Sequence, residues 1–318
     1  MADIPGKGAG LVSKRALKMD ELILDERPLF VCARGMSVAV PPTFTPAQVG
    51  QYQLQKLEEY CEIAINRMRP EAKTAFMALW NCHKEDGSGP IMGICKCFQY
   101  GAMRRLIFFY RPSCSPNTAP RFHMRSFSYR LYAVRNIAAG EELTFQYTDV
   151  KSSTEKRQAA LKPYDFVCAC TTCKDTTKVS CEDPRSTSDW RRSVLTGFYA
   201  ARKEQFKSPS VDEKLLDECC MMIELILREG LEHLPMYFDV VRLLMQGCVA
   251  NGDAPGAREW AARLEKCYWD ENRDTEEVME LLKSGPAYRK HPLWRTLVEP
   301  GVPGRPLNMT RMLEQSTA

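Results

Sequence analysis

The chain has 318 residues, 44% of them apolar and 26% charged, with a net charge of +4 at neutral pH. That length allows two domains with their own cores, and so small a charge, with no dominant Lys/Arg run, gives no direct nucleic-acid signal. There is no uncharged apolar stretch of the roughly 18 residues that a membrane span needs and no basic-then-apolar start, so an intracellular protein away from membranes is expected, its 14 cysteines serving as thiols and metal ligands rather than disulfides.

In chain order, Gly6-Lys7-Gly8-Ala9-Gly10-Leu11-Val12 comes first. Its glycines do not match the G-x-G-x-x-G fingerprint, no strand precedes them and no βαβ pattern follows, so taken alone they read as a glycine turn. Strand-forming runs, Glu21-Leu22-Ile23-Leu24 and Leu29-Phe30-Val31-Cys32, come next, punctuated by Gly and Pro. The prolines of 41–46 stop the strands, and from 47 to about 81 the pattern is helical, with Leu54, Leu57, Cys61 and Ile65, then Ala75, Phe76, Leu79 and Trp80, recurring every three or four residues.

Asp86-Gly87-Ser88-Gly89-Pro90 is a turn or loop, and 91–110 return to strand-like composition. Cys82-His83 and Cys95-Lys96-Cys97 carry ligand-type side chains, but with no further paired ligands near them in sequence they read as core thiols. A strand over 127–134, a turn ending at Gly140 and a strand over 143–145 follow. Cys168-Ala169-Cys170-Thr171-Thr172-Cys173 then brings three thiolates within reach of one ion, one short of a tetrahedral zinc, and Cys114 is the best candidate for the fourth.

A polar stretch over 174–188, containing Pro184, suits a linker. Beyond it helices are expected over 190–206, 211–231, 236–251, 254–269 and 275–283, with apolar stripes such as Leu215, Cys219, Met222 and Leu225. Helix pairs joined by turns such as Gly252-Asp253 are loosely similar to TPR units, though without a fixed repeat period. The last twenty residues, rich in Pro and Gly, are expected to be poorly ordered.

The order Ser113-Cys114-Ser115-Pro116-Asn117, then Gly140-Glu141-Glu142-Leu143-Thr144-Phe145-Gln146-Tyr147, then the three-cysteine cluster, resembles the SET-domain protein-lysine methyltransferases. The likeness is greatest to their SMYD-like branch, here without an amino-terminal MYND zinc finger, and it covers residues 6 to about 175. It implies an α+β fold: a SET β-fold over 1–150 with a helical insertion at about 47–85, then a zinc-bound post-SET segment and linker over 151–182. An all-α TPR-like domain over 183–298 and a tail over 299–318 complete the expected organisation.

By the same resemblance the cofactor is S-adenosyl-L-methionine, and a structural zinc is shared by Cys114, Cys168, Cys170 and Cys173. Tyr147 matches the tyrosine that lies at the methyl group and orients the lysine amine. Lys7, Gly8 and Ala9 match the loop that meets the methionine part of the cofactor, and Phe166 the aromatic that leans on the adenine. From physics alone, Tyr147 reads first as a strand-end ring with its hydroxyl on a carbonyl, an order that the surrounding motif reverses, while Phe166 reads equally as a cap on the small metal core.

Two places depart from the family. Arg111-Pro112 stands where it carries Asn-His, the Asn contacting the amino-acid end of the cofactor and the amide of the His facing the adenine edge. A proline has no N–H to give, and one unpaired acceptor costs about 1–3 kcal/mol, so weaker cofactor binding is expected at Arg111. Gly93-Ile94 is followed by Cys95-Lys96-Cys97 in place of a Thr-Asn pair. Two functions are therefore expected to compete: methyl transfer to a lysine of a histone or non-histone protein, in nucleus or cytoplasm, and a catalytically inactive SET-derived interaction module whose helical domain binds a partner.

Overall fold

The computed structural model describes residues 2–4, 8–31, 38–97, 102–103, 111–177, 187–207, 211–266, 278, 281 and 286–304. Apolar runs in the first half are short, and the strands they form pair in small sheets. β1 (Ala2–Ile4) lies antiparallel to β2 (Gly8–Gly10). β3 (Leu22–Glu26) forms one edge of a three-stranded antiparallel sheet in the order β3-β8-β7, with β7 (Thr118–His123) and β8 (Ser128–Ala133). β4 (Phe30–Val31) pairs with β5 (Ala102–Met103), and β6 (Arg111–Pro112) runs parallel to β9 (Thr144–Phe145). Strand β7 escapes a reading by composition because it holds Pro120, opposite Leu131. It lies at a sheet edge, where a missing N–H breaks no ladder bond.

The insertion is helical, as its periodicity requires, but it is broken. Thr45 caps α1 (Pro46–Asn66) in a reciprocal box with Gln48, and Pro70 ends any continuation and starts α2 (Pro70–Met77). Cys61, Ile65, Phe76 and Leu79 are buried, while Trp80, expected on the same stripe, is 54% exposed because the helix has already ended.

The strand-like reading of 91–110 is corrected at its start: 90–97 are the helix α3 (Pro90–Cys97), which buries Ile91, Met92, Ile94 and Cys97. Its start depends on a distant residue, since the Glu58 carboxylate on α1 accepts the amides of Ile91 at 2.8 Å and Met92 at 2.6 Å. A carboxylate at a helix N-terminus is favourable for both the orphan N–H groups and the dipole, and no local window of sequence contains it. Residues 104–110 of the expected strand lie outside the described residues.

After β9 come α4 (Thr154–Leu161) and α5 (Thr171–Thr177), so the expected linker opens as a helix carrying Cys173. The second half is α6 (Ser188–Ala201), α7 (Glu213–Glu229), α8 (Pro235–Ala250) and α9 (Ala254–Glu265), each packed on the next. Side chains of Thr187, Asp212 and Asp253 cap three of them, and Gly230 at φ 64° ends α7, a left-handed position that glycine takes without strain. Helix α8 is buried nearly all round, as the middle element must be.

Of the helix expected over 275–283, only Val278 and Leu281, both buried, are described. Part of the expected tail packs on the helical half: Arg295 Nη2 donates to Val302 O, and a Cβ at Gly304 would lie 2.6 Å from Gly252 O. Residues 305–318 lie outside the described residues. The halves interlock around a buried carboxylate. Glu229 Oε1 pairs with Arg191 Nε at 2.5 Å and Oε2 with Arg192 Nε at 2.7 Å, and Arg192 Nη2 reaches Cys114 O at 2.9 Å.

Candidate active site and metal centre

The site is assembled where β6, β9 and the N-terminal strands meet. Ser113 N donates to Phe145 O at 3.0 Å, and Leu143 N donates to Leu11 O at 2.8 Å, with Val12 bridging Glu142. Asn117, 1% exposed, holds this register from the side. Its Nδ2 donates to Glu141 Oε1 at 2.9 Å and Glu142 O at 2.8 Å, and its Oδ1 accepts Thr144 N at 2.8 Å. One amide thus ties the Ser-Cys-Ser-Pro-Asn segment to the Gly-Glu-Glu-Leu turn, and the consequence is that Cys114 and Tyr147 have fixed relative positions.

The sulfurs of Cys114, Cys168, Cys170 and Cys173 all lie within 4.8 Å of one another. Cys114 Sγ is 3.8 Å from Cys168 Sγ and 3.5 Å from Cys173 Sγ. Thiolates placed tetrahedrally at the zinc–sulfur distance are about 3.8 Å apart, so the donor set and its spacing fit a zinc ion. Gln158 on α4 brackets the loop by donating Nε2 to Cys168 O at 2.8 Å and accepting Cys168 N at 3.0 Å. Arg157, wholly buried, sets its Nη2 3.9 Å from Cys173 Sγ and 2.8 Å from Thr154 Oγ1. The crowding splits the thiols: hydrogen bonds to Cys168, Cys170 and Cys173 push Cys114 up, while the contact with Cys114 lowers Cys168 to about 7.

Tyr147 packs against both the core of the first half and the cysteine cluster. Its ring meets Phe145 edge-on at 5.1 Å and Tyr164 at 5.2 Å. Burial, and then the neighbouring thiols of Cys97 and Cys82, push its hydroxyl above the ordinary tyrosine range, so it stays a neutral O–H donor. Tyr164, whose hydroxyl donates to Cys97 O at 3.3 Å, is a site residue that sequence reasoning missed. Its only signal was its place two residues before Phe166. Glu142, Arg157 and Gln158 were missed for the same reason, as each acts through partners distant in sequence.

Phe166 is half-buried against the four-cysteine cluster. Gly8 and Ala9 lie on β2, opposite Ile4 and Asp3, just upstream of the segment that runs along the Glu141–Leu143 turn. Lys7 lies outside the described residues. Arg111 does not present a bare cation: its Nε is 3.2 Å from Glu142 Oε1, with both side chains largely buried. The acidic motif itself therefore offsets the charge that stands in the family's Asn position. On the helical side, His233 Nε2 meets Gln146 Oε1 at 2.9 Å, next to Tyr147, and Arg121 Nη2 donates to His233 O at 3.2 Å.

A family model described as SET domain matches residues 8–148. The protein named histone-lysine N-methyltransferase set5 of Schizosaccharomyces pombe is 28% identical over 322 aligned residues, which cover 96% of this chain and 87% of that protein. Two proteins named histone-lysine N-methyltransferase SET5 match locally over 69 residues, 36% identical in Scheffersomyces stipitis and 38% in Meyerozyma guilliermondii, covering 21% of this chain and 14% of each relative. The SET model thus spans the segments that carry Cys114 and Tyr147, and a relative named as a histone-lysine methyltransferase aligns along nearly the whole length of this chain.

Proposed function

We propose that this chain transfers a methyl group from S-adenosyl-L-methionine to a lysine of a protein substrate, with Tyr147 at the reacting centre. The observation that carries the reading is the position of Tyr147, half-buried between the core of the first half and the four-cysteine cluster with its hydroxyl kept protonated. S-adenosylmethionine, when bound, supplies the electrophilic methyl. The chain's part is positioning: a neutral phenol can accept from the lysine amine and orient it in line, and the Tyr164 ring fixes the tilt of Tyr147. Lys7, Gly8, Ala9, Arg111 and Phe166 would meet the cofactor. Cys114, Cys168, Cys170 and Cys173 would hold a structural zinc, since four thiolates leave no open position.

The relatives' names make a histone the first substrate to try. We place the chain in the SMYD-like branch because a post-SET segment is followed by helices, which we read as a TPR-like domain over 183–298 that walls the peptide channel and offers a surface to a partner. Among the described residues no helix is long and apolar enough to cross a membrane; nucleus or cytoplasm suits a histone or non-histone substrate.

Tyr147→Phe tests the assignment: transfer of labelled methyl to a histone mixture should fall by at least roughly tenfold, the loss of one transition-state hydrogen bond, with an unchanged unfolding curve. Unchanged turnover would remove Tyr147 from the role. A second reading, the inactive interaction module, is favoured by Pro112, which leaves one backbone donor missing beside the cofactor. Calorimetric titration with S-adenosylmethionine separates the two. Saturable binding by the unmodified protein supports the enzyme, whereas binding that appears only in the Arg111→Asn, Pro112→His double variant supports the module.

A further inference from the structure

Cys82, His83 and Cys97 form a second cluster of metal-binding side chains, apart from the four cysteines. One donor atom from each lies within 4.8 Å of the others. In sequence they are Cys-His and, fourteen residues later, a cysteine that pairs more obviously with Cys95. Cys82 and His83 lie in the irregular segment after α2, and Cys97 is the last residue of α3. Because α3 is a helix and not a strand, Cys97 turns towards Cys82, and Cys95 is not part of the cluster.

We propose that Cys82, His83 and Cys97 bind a zinc ion, with water or an exogenous donor in the fourth position. The donor types are those of a three-ligand zinc site: two sulfurs and one imidazole. Groups one bond further out are arranged as such a site requires. His83 Nδ1 lies 2.8 Å from Asp86 Oδ2, which holds the proton on Nδ1 and leaves the Nε2 lone pair for the metal. Asp86 is itself fixed, its Oδ1 accepting Ser88 N at 3.0 Å and its Oδ2 accepting Lys96 Nζ at 3.1 Å. Cys82 N donates to Cys97 Sγ at 3.0 Å, a bond that strengthens when the sulfur becomes a thiolate.

The two sulfurs are 2.8 Å apart. Two thiolates on one zinc are about 3.8 Å apart, so binding moves Cys82, on its irregular segment, outward by about 1 Å. Tyr164 donates to Cys97 O and packs on Tyr147, so the ion would anchor the end of α3 behind both rings. That consequence rests on the methyltransferase reading; the binding of zinc does not.

The test is a metal count on the full chain, purified under reductant, equilibrated with excess zinc and gel-filtered. Two zinc ions per chain are expected, one for each cluster. The Cys82→Ser, Cys97→Ser double variant should keep one, and Cys168→Ser should lose the other independently. Asp86→Asn removes no ligand and lies near the surface, so it guards against a double variant that fails to fold. It should weaken the second zinc by roughly 10–100-fold in competition with a chromophoric chelator while leaving the first untouched. One zinc in the unmodified protein, two in the double variant, an unaltered second affinity in Asp86→Asn, or a Cys82–Cys97 disulfide recovered under reductant would each overturn the site. None of these readouts uses S-adenosylmethionine or turnover, so failure here is distinct from failure of the methyltransferase reading.

Discussion

In the first half of the chain, strands of two to six residues are held in register by single polar side chains, whereas α7, α8 and α9 bury a continuous apolar core of Leu, Ile, Val and Met. Asn117 makes three of the bonds that fix β6 against β9 and the motif turn, and the sulfurs of Cys168, Cys170 and Cys173 gather around that of Cys114. Helix α8 by contrast spreads its burial over many apolar neighbours. The difference teaches that the catalytic half is positioned by a few polar groups and the helical half by many shared apolar contacts. The boundary between them is an exception on the helical side, where Glu229, with no exposed surface, binds two almost fully buried arginines.

The comparison can be broken most severely at the metal. Cys168→Ser should release the zinc of the four-cysteine cluster and loosen 166–177 as a unit, read as loss of metal by elemental analysis and rapid amide exchange over that segment; a variant that keeps its zinc would refute the four-ligand site. Next comes the boundary. Glu229→Ala leaves Arg191 and Arg192 charged and buried, and should cost about 3–5 kcal/mol in urea unfolding.

A pH experiment reads the same boundary. Burial raises the Glu232 carboxyl from 4.5 to about 7, so the folded state holds a proton that the unfolded state releases, and the associated stability, complete below 4.5, is lost as pH rises through about 7. Burial, followed by the charges of Arg121 and Arg192, lowers His233 to about 3, with the opposite slope: its contribution is complete above 6.5 and is lost as pH falls toward 3. Glu232→Gln should therefore abolish the loss on the alkaline side, gaining about 3 kcal/mol at pH 8 relative to its effect at pH 4.5. The smallest effect expected is that of Asn117→Ala, about 1–3 kcal/mol for buried partners left unpaired. It sharpens the comparison if methyl transfer falls further than stability does, because register and not burial is what Asn117 supplies.

The helical half was legible from periodicity: α7 and α9 lie within the expected stretches, α6 starts two residues and α8 one residue before them, and side-chain caps stand at the starts of α6, α7 and α9. The motif strands and the four cysteines were legible as ordered patterns. Strand β7 was hidden by Pro120, and α3 was hidden because its composition suits a strand and its cap, Glu58, is more than thirty residues away. Tyr164 and Glu142 were not legible as site residues, because each matters through a partner brought to it by folding.

By itself the sequence determined which residue types were present at which spacing: a set of thiols at metal-ligand spacing, a tyrosine closing an acidic turn, and amphipathic helices long enough to bury a face. Only the tertiary structure decided which of these meet. It set Arg111 against Glu142, so that a charge expected to face the cofactor is paired within the chain. It also turned α3 so that Cys97 meets Cys82 and His83 rather than Cys95. The physical reason is the range of the forces involved. Helix periodicity and turn chemistry act over a few residues and are written locally, while ion pairs, metal sites and distant caps join groups whose separation in sequence bears no relation to their separation in space.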